Sequence, residues 1–441
     1  MTTASKREDD TSPLIVVSSD GHVGPRLEAD LRQYCPKKHL DRFDEYAAGF
    51  RQSVGAAESK TGGLDLSSGS DDVIAGVSSQ AGIGAVRRLE RNRNTAGHYD
   101  PDTYVREMDW EGVAAEVVFH GSQNDEPIPF LGYRDFFVRY ADIDFEMVAA
   151  GYRIYNRWLA DFVSVAPERI IGLVYVPMWD PELAVEEVKW GAEHGLRGVN
   201  FPAPRTGIAE YDDPVWEPFW AACADLGLTL TTHAGVPLNP SMGPQFMAIT
   251  RLEIAGWPAR RGMHRMILGG VFERHPNLHL VLTEQLRGWW GPAGRDMDNA
   301  YGVPTEALQR QVPKKPSEYM PTNVFIGASF MPPYEVDEAI VEGYSGNVIW
   351  GRDYPHGEGT YQFPLSPDEE SMTRQCIRWA FADCPLPEAR GMLGENGVRG
   401  YHLDRQALAE VAARIGPTPE EIHRPLTDLP EGWHGDVLGV G

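Results

Sequence analysis

Eight short apolar runs, separated by amphipathic stretches, are what most constrains the fold of this chain. They are Leu14 to Ser19, Ala115 to Phe119, Ile170 to Val176, Leu196 to Phe201, Leu228 to Thr232, Leu278 to Thr283, Asn323 to Ser329 and Asn347 to Gly351. Each is continuous in hydrophobicity rather than alternating, as expected of parallel strands covered on both faces. Between them, segments such as Pro181 to Glu193 and Pro214 to Leu226 repeat apolar residues at spacings of three and four, with charges opposite, which reads as covering helices. Strict alternation of this kind predicts an α/β fold, a (β/α)8 TIM barrel, whose functional groups gather where the strands end.

Metal-ligating residue types fall at those ends. Asp20-Gly21-His22 follows the first run, His233 the fifth, and Asp353-Tyr354-Pro355-His356 the eighth. A carboxylate and an imidazole two residues apart point the same way from an extended chain and suit a divalent ion. His233 follows a buried strand among small residues and reads either as an imidazole exposed to a cavity or as a hydrogen-bonded His of a βα loop. Asp353 at a strand tip has three options: to bind metal, to handle the proton of a water, or to cap the following segment. Glu284 closes the sixth run as a second-metal ligand, a general base, a substrate anchor or the salt-bridge partner of Arg287. His356 is a further ligand or a substrate contact, and His120, after the second run, is a possible additional ligand or a solvated loop residue. Trp289, Trp290 and the stretch Phe330 to Tyr334 form either a substrate wall or ordinary packing. His264, His275 and His279 read as structural.

A barrel needs roughly 250 residues, so 441 leave room for more. The expected organisation is a tail over 1–13, a barrel over 14–400 with a long insertion after strand 1 over 24–98, and a C-terminal extension over 401–441. The insertion reads as a lid or an interface arm, because structureless connections of that length in compact domains are usually functional. A net charge of -24 argues against a basic field for nucleic acid or anionic membrane. The 4 cysteines show no close pairing, there is no run of about 20 apolar residues, and the N-terminus lacks the apolar core of a signal peptide. A soluble cytoplasmic protein acting on a small molecule is expected, as a homo-oligomer or in complex with a paralogous subunit.

The stretches SSDGHV, PERIIGLVYVPMWDPELAVEE, GLRGVNFP, WEPFWAACADLGLTLTTHAG, ILGGVFERHPNLHLVLTEQLRGWW, NVIWGRDYPHGEG and MLGENGVRGYHLD together resemble the amidohydrolase superfamily. The likeness is narrower to its amidohydrolase-related group, which includes nonoxidative decarboxylases of aromatic and unsaturated acids. The resemblance implies that Asp20 and His22 stand where that family carries an H-x-H or E-x-H pair, and that His233 and Asp353 match its fifth- and eighth-strand ligands. It also implies two departures. Glu284 stands where the decarboxylases carry a proton-transferring His, and Asn200 offers no match for the carboxylated Lys of binuclear relatives. Some members of the group use iron or manganese pairs to activate dioxygen.

Four functions follow in order of expectation. First comes a metal-dependent enzyme in which zinc, manganese or iron, one or two ions per chain, activates water to hydrolyse a C–N or C–C bond. Behind it stand a dinuclear iron or manganese monooxygenase with Glu284 among its ligands, a nonoxidative decarboxylase, and a catalytically inactive partner subunit. The catalytic groups expected are Asp353, Glu284 and His233.

Overall fold

The computed structural model describes residues 11–58, 87–131, 143–204, 207–233, 256–285, 287–329, 331–366 and 368–427. The middle of the insertion, 61–84, lies outside these residues, as does Phe330. All eight apolar runs become strand. The first run yields β1 (Val17–Ser18), with a further short strand, β2 (His22–Val23), just beyond it, and the others give β3 (Ala115–His120), β4 (Ile170–Tyr175), β5 (Gly198–Asn200), β6 (Thr229–His233), β7 (Leu280–Thr283), β8 (Val324–Ser329) and β9 (Val348–Gly351).

Every neighbouring pair is parallel, in the order β1-β3-β4-β5-β6-β7-β8-β9, with β2 prolonging the first strand beside β3. The sheet comes round on itself where the first strand meets the last. Ser19 N donates to Trp350 O at 2.8 Å, Asp353 N to Asp20 O at 3.0 Å, and His22 N to Tyr354 O at 2.6 Å. The first strand is interrupted between β1 and β2, and there its backbone bonds to β9 and the segment after it as well as, through Gly21 O accepting from Phe119 N, to β3. The expected TIM barrel is therefore present.

Helices cover the outside as the spacing predicts. Pro181–Glu193 and Arg405–Ile415 are helical over the expected residues, and Pro214 to Leu226 resolves into a 3-10 turn, Pro214–Trp216, followed by the helix Glu217–Asp225. The helix Pro101–Glu111 starts with Asp100 accepting from Thr103 N and ends on Gly112 at φ 82°, a left-handed stop that glycine adopts without steric cost. Alternate strand residues serve two cores. Val16, Val118, Ile170, Val174 and Leu230 pack against the helix layer, while Val17, Val117, Phe119, Ile171, Leu173, Val281, Phe325 and Ile349 fill the barrel.

The segment after residue 400 closes the N-terminal mouth of the barrel. Tyr401, Leu403, Leu408, Val411 and Ala412 join the inner core, and the Tyr401 hydroxyl lies 3.3 Å from Thr231 Oγ1. The described ends of the insertion dock on the opposite rim. Among them, Asn92 Nδ2 donates to Pro355 O at 2.8 Å and Arg88 Nε to Gly357 O at 2.8 Å, so residues 87–98 are stitched to the loop after β9. Among the described residues, no helix is long and apolar enough to cross a membrane.

Leu408 is fully buried in the plug, so Leu408→Ala should destabilise the protein by about 2–5 kcal/mol through lost burial and a cavity. Urea unfolding measures this. A cost under about 1 kcal/mol would mean that the helix only rests on the surface.

Candidate metal centre at the barrel rim

The strand ends bring Asp20, His22, His233, Glu284, Asp353 and His356 into one cluster. His22 Nε2 lies 3.1 Å from Asp20 Oδ1 and 3.1 Å from Asp353 Oδ1. His233 Nε2 lies 3.4 Å from the same Asp20 oxygen, and its Nδ1 lies 3.9 Å from Glu284 Oε2. His356 Nδ1 is 2.9 Å from Asp353 Oδ1, and its ring stacks on that of His22 at 4.0 Å. Asp20 and Asp353 are fully buried. Glu284 and Asp353 both hold non-glycine backbone in the left-handed region, at φ 55° and 52°. Such backbone costs of order 1 kcal/mol and concentrates at functional sites.

Five atoms of this cluster are buried with no hydrogen-bond partner among the described residues: Asp20 Oδ1, His22 Nε2, His233 Nε2, and Asp353 Oδ1 and Oδ2. A buried polar group without a partner costs roughly 1–3 kcal/mol. Five converging on one point is the donor set of a cation. Two carboxylates and two imidazoles suit zinc, manganese or iron, and they fit the divalent ion expected from the sequence. Asp20, His22, His233 and Asp353 would hold it, with Glu284 and His356 at its edge.

The surrounding residues fix which atoms face inward. His22 Nδ1 is 3.3 Å from the His120 carbonyl, and His356 Nε2 is 2.8 Å from the Gly121 carbonyl. A ring nitrogen that donates to a carbonyl leaves the other one free to ligate. Both carbonyls belong to the end of β3. Ser329 Oγ donates to Asp20 Oδ2 at 2.6 Å, which directs Oδ1 toward the cluster.

Charge in the site is strongly coupled. Burial opposes a charge on His233, yet Asp20, Glu284 and Asp353 outweigh it and raise this imidazole to about 9. Burial likewise opposes a charge on His356, but Asp353 and Glu358 lift it to about 10. Burial pushes Glu284 up to about 7, with His233 working against the shift and Asp20 and Asp353 adding to it. Asp20 is held well below the usual carboxylate range: burial would raise it, but His233 and His22 prevail.

One reading needs correcting, and two that were left open are narrowed. His120 does not enter the cavity. Successive strand residues face opposite sides, and Phe119 takes the inner side, 4.8 Å from the His233 ring, while His120 turns outward edge-on to Tyr155 at 5.4 Å. Burial drives its imidazole down to about 3, so it sits there neutral. The salt bridge between Glu284 and Arg287 does not form as the main contact of either: Arg287 covers the Tyr334 ring at 4.2 Å. Trp289 and Trp290 are packing rather than a wall of the metal site: with Ile326, Met331, Tyr344 and Val348 they line a small pocket that includes none of the cluster residues, and both pack against the core. His264, His275 and His279 are structural as expected, on Trp257, Glu217 and the Gly400 carbonyl.

The sequence reasoning missed Ser329, Glu116 and Arg352. Glu116 had a signal: it is a charge inside an apolar strand, and a fully buried carboxylate requires a partner.

Residues 128–403 match the sequence profile of the amidohydrolase family. The chain belongs to that family. The matched stretch begins after the first strand, so Asp20 and His22 lie outside it in sequence and join it in space. Among curated proteins, the chain is 30% identical over 188 residues to 2-amino-3-carboxymuconate-6-semialdehyde decarboxylase of Dictyostelium discoideum, covering 42% of this chain and 47% of that protein. It is 28% identical over 219 residues to gamma-resorcylate decarboxylase of Rhodococcus jostii, covering 45% and 64%. The chain thus spans about half to two thirds of the length of these relatives. The fold is shared with 5-carboxyvanillate decarboxylase of Novosphingobium aromaticivorans, a structure with bound manganese, at a TM-score of 0.54 and 16% identity over 88% of this chain and 97% of that one.

Because His233 and His356 carry protons at neutral pH in the metal-free protein, a cation entering the site must expel them. Manganese affinity should therefore rise with pH up to about 9 to 10, with protons released into a weakly buffered solution. Calorimetry in buffers of different ionisation enthalpy reads this release, and His22→Ala and His233→Ala should lose most of the bound metal. Full occupancy in both variants would disprove the centre.

Proposed function

We propose that the protein is a metal-dependent decarboxylase of a small unsaturated or aromatic carboxylic acid. The observation that carries the reading is Glu284, a carboxyl raised to about 7 and poised beside the unpartnered cluster. Both curated relatives named above are decarboxylases, which favours decarboxylation over the hydrolysis ranked first on the sequence and over the dinuclear oxygenase.

A bound divalent ion supplies Lewis acidity, steadying the negative charge of the substrate. Asp20, His22, His233 and Asp353 would hold that ion, and Glu284 stands beside them at the same rim. When the bond between the carboxylate carbon and its neighbour breaks, carbon dioxide leaves and the electron pair stays on the neighbouring carbon. Glu284 in its neutral form delivers a proton to that carbon, then regains one from water. Proton donors work best with a pKa near the working pH, and burial places Glu284 there. It thereby fills the role that resemblance assigns to a strand-six His in decarboxylases. Phe119, packed against His22 and His233, keeps the inner side of the cavity apolar.

Manganese-loaded enzyme should release carbon dioxide from aromatic or unsaturated acids equally well with and without dioxygen, and in heavy water should place one deuterium on the product carbon. Glu284→Gln should lower turnover by about 100- to 10000-fold while retaining the metal. Dioxygen consumption coupled to turnover, or hydrolysis products without carbon dioxide, would overturn the reading.

A further inference from the structure

A second cluster of charge lies directly behind the metal-binding turns, and the reaction does not use it. Arg352 is fully buried, and so are its partners Glu111 and Glu116. Arg352 Nε donates to Glu116 Oε1 at 2.7 Å, the rest of the guanidinium reaches the second Glu116 oxygen and Glu111, and its plane lies 4.4 Å over the Tyr354 ring. Tyr104 donates its hydroxyl to Glu116, and Thr373 Oγ1 donates to Glu111 at 2.6 Å. A buried ionic group of this kind is weak evidence for stability, since an apolar replacement often does as well.

Its placement suggests another use. Arg352 immediately precedes Asp353, and its backbone N donates to Ser18 Oγ at 3.1 Å, the same hydroxyl that donates to the Asp20 carbonyl at 2.8 Å. Glu116 fills the space beneath Gly21: a Cβ on Gly21 would stand 2.4 Å from Glu116 Cδ. The ion pair therefore bears on both turns at once, the one carrying Asp20 and His22 and the one carrying Asp353. We propose that Arg352 and Glu116 are positioning residues that set the separation between these two halves of the metal centre. The inference rests on the metal-centre reading above.

The test compares manganese affinity, thermal stability and the electron paramagnetic resonance spectrum of bound manganese in wild type and variants. Glu116→Gln should weaken manganese binding by about 10- to 100-fold, the usual effect of removing an outer partner of a metal site, and should alter the spectrum. Tyr104→Phe, a milder change at the same carboxylate, should shift both in the same direction and carries the test if Glu116→Gln does not fold. Glu187 is the control. It is a buried carboxylate held by Asn156, Arg153 and Arg157 on the helix layer, away from the candidate ligands. Glu187→Gln should lose stability while keeping wild-type affinity and spectrum. Unchanged affinity and spectrum in both Glu116→Gln and Tyr104→Phe would overturn the proposal, and so would an equal loss of affinity in Glu187→Gln. A wild-type protein that bound no manganese would instead overturn the metal-centre reading itself.

Discussion

Two carboxylates withdrawn completely from water, Asp20 and Asp353, are the constraint to which the rest of the site answers. A buried carboxylate is tolerable only with a countercharge or a full set of donors. Asp20 has one donor in Ser329, while its second oxygen and Asp353 Oδ1 face imidazoles whose geometry falls short of a hydrogen bond, and Asp353 Oδ2 is buried without a partner among the described residues. Protons on His233 and His356 meet the need when no cation is bound, which is why both imidazoles are raised. Metal binding is then an exchange of one form of positive charge for another, and the same field keeps Glu284 able to hold a proton near neutrality.

The fold makes that arrangement possible by a break in regularity. At the seam of the barrel, the first strand is interrupted between Ser18 and His22, and the backbone between bonds to β9 and the segment after it as well as to β3. This brings two ligand-bearing turns from opposite ends of the sequence within one hydrogen bond of each other. The end of β3 and the residue after it supply the carbonyls that orient His22 and His356, and the loop that follows is fastened to the β9 loop through Gln123, whose side chain reaches Glu358 and Gly357 N. The rim behaves as one cross-braced ring rather than as independent loops.

Much of this was legible in the sequence. Buried parallel strands must be continuously apolar and covering helices must be amphipathic, so the eight runs and the helices between them could be read directly, and strand order followed from alternation. The gathering of Asp20, His22, His233 and Asp353 at strand ends was legible because residue type and position coincided there. Facing was the failure. His120 and Phe119 are adjacent, and only the pairing of β2 with β3, His22 against Phe119 and Val23 against His120, fixes which of them looks inward. Apolar runs that are buried on both sides carry no alternation from which to infer it.

Long-range partners were invisible for a related reason. The space that a side chain on Gly21 would need is filled by Glu116, and Glu116 is in turn held by an arginine more than two hundred residues away in sequence. A sequence can announce that a charge inside a strand needs a partner without naming the partner. The ends of the insertion follow the same logic. Residues 87–98 fall in the insertion that reads as a lid or an interface arm, and their side chains complete the backbone bonding of the loop that carries His356, as Asn92 does for Pro355 and Tyr361. What had the appearance of excess length is, over those residues, part of the support on which the site geometry depends.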